Sequence, residues 1–184
     1  NHIGHFLLVT GLLPQLTEET RKAFTTSGRA DLAPWVKKVG DWREKHPLRH
    51  APQGDEHIEP QHVIERIWEK TQGKALVTTG VGKHQMFAAQ YWKTIWPRQF
   101  ITSGGLGTMG FCLPAAIGVQ LGKPDALVIG IDGDGSFQMT LQDLATAVDL
   151  KLNIKIFILN NLFLGMVHQW QDLFYEKRLA ETPL

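Results

Sequence analysis

From Ile58 onward the chain alternates short, almost wholly apolar runs with longer stretches whose apolar residues recur at helical spacing. No other feature restricts the fold as much. A strand that is apolar at nearly every position is buried on both faces, and helices laid over both sides of a parallel sheet bury it that way. The runs at 74–80 (KALVTTG), 99–103 (QFITS), 125–132 (DALVIGID) and 154–160 (IKIFILN) read as strands. One helix is expected to open at Glu59-Pro60 and stop at Gly73, with Val63, Ile64, Ile67 and Trp68 on its buried face. Further helices are expected over 84–92, 113–122, 137–150 and 165–178. The expected fold class is α/β, an open and mostly parallel sheet with helices on both faces.

Residues 1–57 are less regular. The stretches 17–24 and 31–45 read as helices, and the second carries a stripe of Trp35, Val39 and Trp42 that predicts core or interdomain packing. The run 46–57 is rich in Pro, Gly and charge and reads as a linker. The expected organisation is therefore the end of a preceding domain with a helix and linker over 1–57, then a ligand-binding domain over 58–184. A start at Asn1 and an abrupt end at ETPL suggest a piece of a longer protein.

Composition narrows the function classes. A chain with 43% hydrophobic and 20% charged residues can bury a sizeable core. The formal charge of +1 gives no electrostatic case for nucleic acid or an acidic membrane surface. No run approaches the roughly 18–20 apolar residues of a membrane span. The early segment FLLVTGLLPQL is broken by Gly11 and Pro14 and lacks a basic leader, so no signal peptide is expected. Cys112 is the single cysteine, which excludes an internal disulfide or a Cys-based zinc site and fits a reducing compartment.

Two strand ends carry the chemistry. Asp134 lies just past the third apolar run and Asn161 just past the fourth, 27 positions on. Between them a helix of about 15 residues at ~1.5 Å each and a strand of about 7 at ~3.3 Å each both cover a little over ~20 Å, so the chain returns to the edge it left. Ligands of open parallel sheets bind beyond that carboxyl edge. If the strands are neighbours, one carboxylate and one amide oxygen meet a single ion. With no Cys or His beside them zinc is a poor fit, whereas Mg²⁺ takes one or two protein oxygens and completes its shell with water and phosphate. Gly133 and Gly135 allow close backbone approach, and Ser136 stands where a helix begins and free N–H groups favour an anion. The combination implies a diphosphate–Mg²⁺ site. The plainer reading has Asp134 and Ser136 as helix caps and Asn160-Asn161 as a turn. The paired strand ends weigh against it.

GDGS followed by NN at this spacing resembles the thiamine diphosphate-binding motif of thiamine-dependent enzymes. The resemblance implies Asp134, Asn161 and the main-chain carbonyl of Phe163 as Mg²⁺ ligands, with Gly135 and Ser136 on the diphosphate. The stretches at 78–92 (TTGVGKHQMFAAQYW), 101–128 (ITSGGLGTMGFCLPAAIGVQLGKPDALV) and 164–178 (LGMVHQWQDLFYEKR) are very similar to the catalytic subunit of acetohydroxyacid synthase, also called acetolactate synthase. The likeness covers nearly everything from Ile58 on, extends to the helix and linker over 31–57, and is weak over 1–30. It implies Val81, Gly82 and His84 on the diphosphate, and Gly107 and Met109 against the cofactor, with Met109 propping its two rings into a bent shape. Lys83 stands where the family usually has Gln, and its ammonium could also reach phosphate. Met166 and Trp170, one helical turn apart, are implied at the substrate channel; the plainer reading is a core pair.

The implied activity is decarboxylation of pyruvate and joining of its two-carbon unit to a second pyruvate or to 2-ketobutyrate, early in branched-chain amino acid synthesis. The implied assembly is a homodimer or larger oligomer, with a regulatory subunit as a candidate partner, in the cytoplasm of a bacterium or in a plastid or mitochondrion. The family's activating Glu belongs to an N-terminal domain and its FAD mostly to the middle domain, so this stretch contains no expected catalytic residue and is expected to be inert alone. Three rivals remain. Gly105, Gly107 and Gly110 form a literal G-x-G-x-x-G with Asp132 about 20 residues on, a nicotinamide-type pattern. Catabolic acetolactate synthase, glyoxylate carboligase and pyruvate oxidase share the thiamine motif. A non-catalytic interaction fragment would expose apolar helices.

Overall fold

The computed structural model describes residues 33–50 and 57–184. The helix expected at 17–24, the first two residues of the helix expected at 31–45, and linker positions 51–56 lie outside the described residues. The chain divides into two compact units, Asn1–Ala51 and Pro52–Leu184.

In the first unit, helix α1 (Ala33–Lys45) buries none of its residues. Trp35 and Trp42 pack edge to face with centroids 5.7 Å apart, and the Lys38 ammonium lies over both rings. Both indoles stay about half exposed and are held together by aromatic and cation–π contacts, so within this unit the stripe is not packed into a core.

The second unit opens with α2 (Pro60–Thr71), which has Pro at its first turn and ends on Gln72 and Gly73, both at positive φ. Then follow β1 (Leu76–Thr79), α3 (Lys83–Tyr91), β2 (Phe100–Thr102), α4 (Cys112–Gly122), β3 (Val128–Gly133), α5 (Asp134–Gln138), a 3₁₀ turn (Leu141–Asp143), α6 (Leu144–Asp149), β4 (Lys155–Leu159) and α7 (Gly165–Phe174). The four strands form one parallel sheet in the order β2-β1-β3-β4, which is the α/β architecture expected.

Strand alternation separates two cores. Val77, Ile129 and Ile131 face α2 and α3, where Ile64, Ile67, Ala88, Tyr91 and Trp92 complete one cluster. Leu113 and Ile117 of α4 join Ala147 of α6 in the other, flanked by Ile154 and Ile156. Each fully buried Ile or Leu contributes about 1.5–3 kcal/mol. Two buried glutamines tie the connections: Gln99 donates to the Ala75 and Gly73 carbonyls, and Gln120 to those of Lys123, Pro124 and Ala126.

Two expected helices are shorter than their apolar pattern. The one expected over 137–150 breaks at Met139–Thr140, where the Thr140 hydroxyl donates to the Gly110 carbonyl and Asp143 N–H takes the Thr140 carbonyl in a 3₁₀ turn. The one expected over 165–178 ends at Phe174, because Gln171 turns its amide to both main-chain groups of Ala180 and the chain folds back.

Candidate functional site

The chain leaves β1 toward β2 on one side and, after α4, re-enters at β3 on the other, so the strand order reverses between β1 and β3. The two crossovers diverge there and leave a crevice at the carboxyl edge. A cleft of about 950 Å³ opens at that edge.

Nearly all the predicted site residues line it. Val81, Gly82, Lys83 and His84 come from the turn between β1 and α3, and Gly107 and Met109 from the loop before α4. Gly133, Asp134, Gly135 and Ser136 come from the end of β3 and start of α5, Asn161 and Phe163 from the loop after β4, and Met166 from the first turn of α7. Trp170 is outside it. It lines an adjoining hollow of about 750 Å³ that Met166 shares, and it is 58% exposed with its ring against Phe174. That exposure disposes of the core-pair reading for Trp170.

β3 and β4 are direct neighbours, with Gly133 opposite Leu159, so the down-and-back geometry brings the two polar strand ends together. Asp134 Oδ2 accepts the Leu162 N–H at 2.7 Å, across the gap between the strand ends. Asn160 Oδ1 accepts the same N–H at 3.0 Å, and Asn161 Oδ1 accepts the Phe163 N–H at 3.2 Å. Leu162 sits at φ +60, a left-handed bend that these three side-chain acceptors stabilise. The C-terminal residues brace the loop from outside: Leu164 N–H donates to Thr182 O and Leu184 N–H to Leu162 O.

Among the described residues no three His, Cys, Asp or Glu side chains cluster as a metal cage. The oxygen donors that do converge, a carboxylate and an amide, suit a hard cation that brings its own water and phosphate ligands. One lysine, Lys83, shares the cleft with them. The Lys83 stem lies against Gly165, where a side-chain carbon would meet its Cδ at 3.1 Å and Asn161 Nδ2 at 2.5 Å. Gly82, at φ +156 and ψ −163, holds a backbone shape that only glycine adopts readily.

Ser136 is placed differently from a simple helix cap. It is 2% exposed, and its hydroxyl accepts the Gly110 N–H at 3.0 Å, which ties the loop before α4 to the β3 end. Beneath the cleft is a pair that the strand-end argument missed. His84 Nε2 lies 3.4 Å from Asp132 Oδ1, with side chains 7% and 0% exposed. The sequence signal for Asp132 was only its place in the nicotinamide-type pattern. Cys112, packed behind β3, has its thiol pushed up to about 12 by burial and then by the nearby Asp132 charge, so it is no nucleophile.

Residues 80–183, more than half of the chain, match the family described as thiamine pyrophosphate enzyme, C-terminal TPP binding domain. This chain belongs to the thiamine pyrophosphate enzymes. The matched span of this thiamine pyrophosphate-binding domain begins at the end of β1 and takes in every cleft residue named above. Tobacco (Nicotiana tabacum) acetolactate synthase 1, chloroplastic, is 51% identical over 156 residues, 85% of this chain and 23% of that protein. The mitochondrial acetolactate synthase catalytic subunit of Saccharomyces cerevisiae is 48% identical over 165 residues, 88% of this chain and 24% of its own. The acetolactate synthase large subunit of Buchnera aphidicola subsp. Schlechtendalia chinensis is 52% identical over 151 residues, 82% and 26%. The chain thus spans about a quarter of the length of these curated relatives. No helix among the described residues is long and apolar enough to cross a membrane.

Proposed function

We propose that this domain holds the Mg²⁺–diphosphate end of thiamine diphosphate for an acetolactate synthase. The observation that carries the proposal is the junction of the two strand ends, where Asp134 Oδ2 and the Asn160–Phe163 loop meet at 2.7 Å beside the reversal in strand order. Asp134 and Asn161 present side-chain oxygens to the metal, and Phe163 its main-chain carbonyl. Gly82, Lys83, His84 and Gly135 surround the diphosphate, with Val81, Gly133 and Ser136 completing its walls. Met109 and Gly107 support the cofactor's rings from the loop before α4.

The bound cofactor supplies the nucleophile and electron sink for decarboxylating one 2-ketoacid and joining it to another, giving acetolactate or acetohydroxybutyrate. The residues of this chain anchor and orient it. Met166 and Trp170, on the helix directly after the metal loop, border the space open to the second 2-ketoacid. The exposed apolar side chains of α7, Val167, Leu173 and Phe174, fit a homodimer surface in the complete enzyme, whose FAD belongs mostly to other regions and whose further candidate partner is a regulatory subunit. The similarity to acetolactate synthases favours that activity over glyoxylate carboligase or pyruvate oxidase. The nicotinamide reading loses its ribose-binding acid, since Asp132 is fully buried against His84.

Calorimetric titration of the chain with thiamine diphosphate, with and without Mg²⁺, and with NAD tests the assignment. Mg²⁺-dependent binding of thiamine diphosphate is expected, and retention of NAD alone would overturn it. Product analysis of the complete enzyme with pyruvate plus 2-ketobutyrate tests the activity. Absence of both acetolactate and acetohydroxybutyrate among the products would exclude acetolactate synthase.

A further inference from the structure

Two buried polar atoms beneath the cleft have no hydrogen-bond partner: His84 Nε2 and Asp132 Oδ2. Asp132 is wholly enclosed, and its other oxygen accepts the Gly133 N–H at 3.0 Å and faces His84 Nε2 at 3.4 Å. An isolated buried carboxylate costs far more than its packing returns, so the imidazole beside it is its natural partner. The surrounding backbone is shaped to admit both the ring and the carboxylate. A side-chain carbon on Gly80 would lie 1.8 Å from Asp132 Oδ1. One on Gly133 would lie 2.5 Å from His84 Nδ1, and one on Gly82 would lie 2.8 Å from His84 Cε1. The Nε2 edge of the ring therefore faces the carboxylate. The Nδ1 edge lies along Gly82 and Gly133, in the two turns that line the cleft.

We propose that Asp132 is a positioning residue: its carboxylate accepts the His84 Nε2–H, so that in the loaded site the ring, carrying a proton on both nitrogens, donates its Nδ1–H to the diphosphate of the cofactor. The proposal rests on the thiamine diphosphate reading of the cleft. The logic is that of any ring whose outward nitrogen must meet a ligand in one orientation. A second group fixes the far nitrogen, and the ring can then neither flip nor swing into the core. Asp132 touches neither metal nor phosphate in this role and acts only through His84.

Long-range ¹H–¹⁵N spectra of the histidine side chains in the 184-residue chain test the pair without any ligand. His84 signals are identified by their loss in His84→Gln. The expected wild-type pattern has a proton on Nε2, and Asp132→Asn shifts the His84 signals and leaves the other histidines unmoved. A wild-type His84 with a bare Nε2 overturns the proposal even if Asp132→Asn does not fold, and so do His84 signals that Asp132→Asn leaves unchanged. Titration with Mg²⁺–thiamine diphosphate supplies the link to the cofactor. Asp132→Asn and His84→Gln are each expected to weaken binding about tenfold, and the double variant to bind no more than about twofold weaker than His84→Gln. Additive losses in the double variant refute positioning. Failure of the folded wild-type chain to bind the cofactor at all instead refutes the thiamine diphosphate reading, and with it the role of the pair.

Discussion

The substitution Gly80→Ala tests how much of the site's floor depends on one missing methyl. Gly80 closes β1, and its N–H already pairs with the Ile131 carbonyl of β3, so the backbone cannot yield without opening the central strand pair. A methyl there meets Asp132 Oδ1 at 1.8 Å, Ser136 Oγ at 2.4 Å and Asp132 Cγ at 2.8 Å. No rotamer change of a flexible tip relieves this, because both neighbours are short, buried and engaged: Asp132 with Gly133 N–H, Ser136 with Gly110 N–H. Displacing Asp132 forfeits a charged hydrogen bond of about 1.5–3 kcal/mol, and displacing Ser136 forfeits about 1 kcal/mol. Overpacking adds about 1–3 kcal/mol, for a central expectation near ~5 kcal/mol. With a urea slope of about 2 kcal/mol/M, the midpoint falls by roughly 2 M or more, a large share of a domain's ~5–15 kcal/mol. Gly118→Ala is the matched control. Gly118 is exposed within α4 with nothing within 4 Å of a built methyl, so the same substitution stabilises by up to about 1 kcal/mol. Urea unfolding followed by far-ultraviolet circular dichroism reads both. A Gly80→Ala loss under about 1 kcal/mol would refute the packing argument for the floor of the site.

Other expectations follow from the same geometry. Asp134→Ala removes a proposed metal ligand and the acceptor of Leu162 N–H, and should reduce Mg²⁺–thiamine diphosphate affinity at least about a hundredfold in calorimetry; a loss below about threefold would contradict the metal assignment. Cys112 titrates near 12 in the folded chain against an ordinary 9.0, so above pH 9 the unfolded chain releases a proton that the folded chain keeps. Stability should therefore be unaffected by this group below pH 9 and fall by up to about 1.4 kcal/mol per pH unit above it, a slope that Cys112→Ala removes. Lys83→Gln takes a cation from the cleft, so diphosphate binding should weaken and its dependence on salt should flatten; unchanged salt dependence would place the ammonium away from the phosphates. Purified chain given pyruvate, Mg²⁺ and thiamine diphosphate should bind the cofactor but yield no acetolactate, and detection of acetolactate would sink that reading.

The fold was legible because its signal is local. The near-continuous apolar run VIGID marks a strand buried along its whole length, and Pro60 and Gly73 punctuate α2 at the residues where the helix begins and ends. KIFIL is also a strand, but it stands at the sheet edge with Phe157 and Ile158 exposed, against the expectation of cover on both faces. Asp134 and Asn161 were legible for a related reason: one crossover of known rise connects them, so spacing returns the chain to the same edge, and the adjacency of β3 and β4, which spacing leaves open, then brings the two strand ends together. The break at Thr140 was not, since its cause is a hydrogen bond to Gly110, 30 positions back. The early end of α7 was hidden for the same reason, because Gln171 reaches forward to Ala180. Periodicity reports which face a helix buries and carries no record of a tertiary contact that interrupts it.

The glycines make the same point inside the site. From sequence, Gly82 of TTGVG and the glycines of IDGDG share one explanation, close approach of backbone to phosphate, and Gly80 has none. The structure gives them two. Gly82 adopts a backbone shape that other residues resist, which suits a turn wrapped against an anion. Gly80 and Gly133 have no such conformational demand; the volumes their side chains would take are filled by Asp132 and His84. These two therefore tolerate or reject substitution according to what stands beside them and not according to φ. A methyl at Gly133 should be relieved in His84→Ala, where the clashing ring is gone, whereas a methyl at Gly82 should lose its contact with that ring but keep the strain of its backbone shape. Restored stability of Gly133→Ala in the His84→Ala background, without a matching gain for Gly82→Ala, would separate glycines that house a buried pair from glycines that shape a loop.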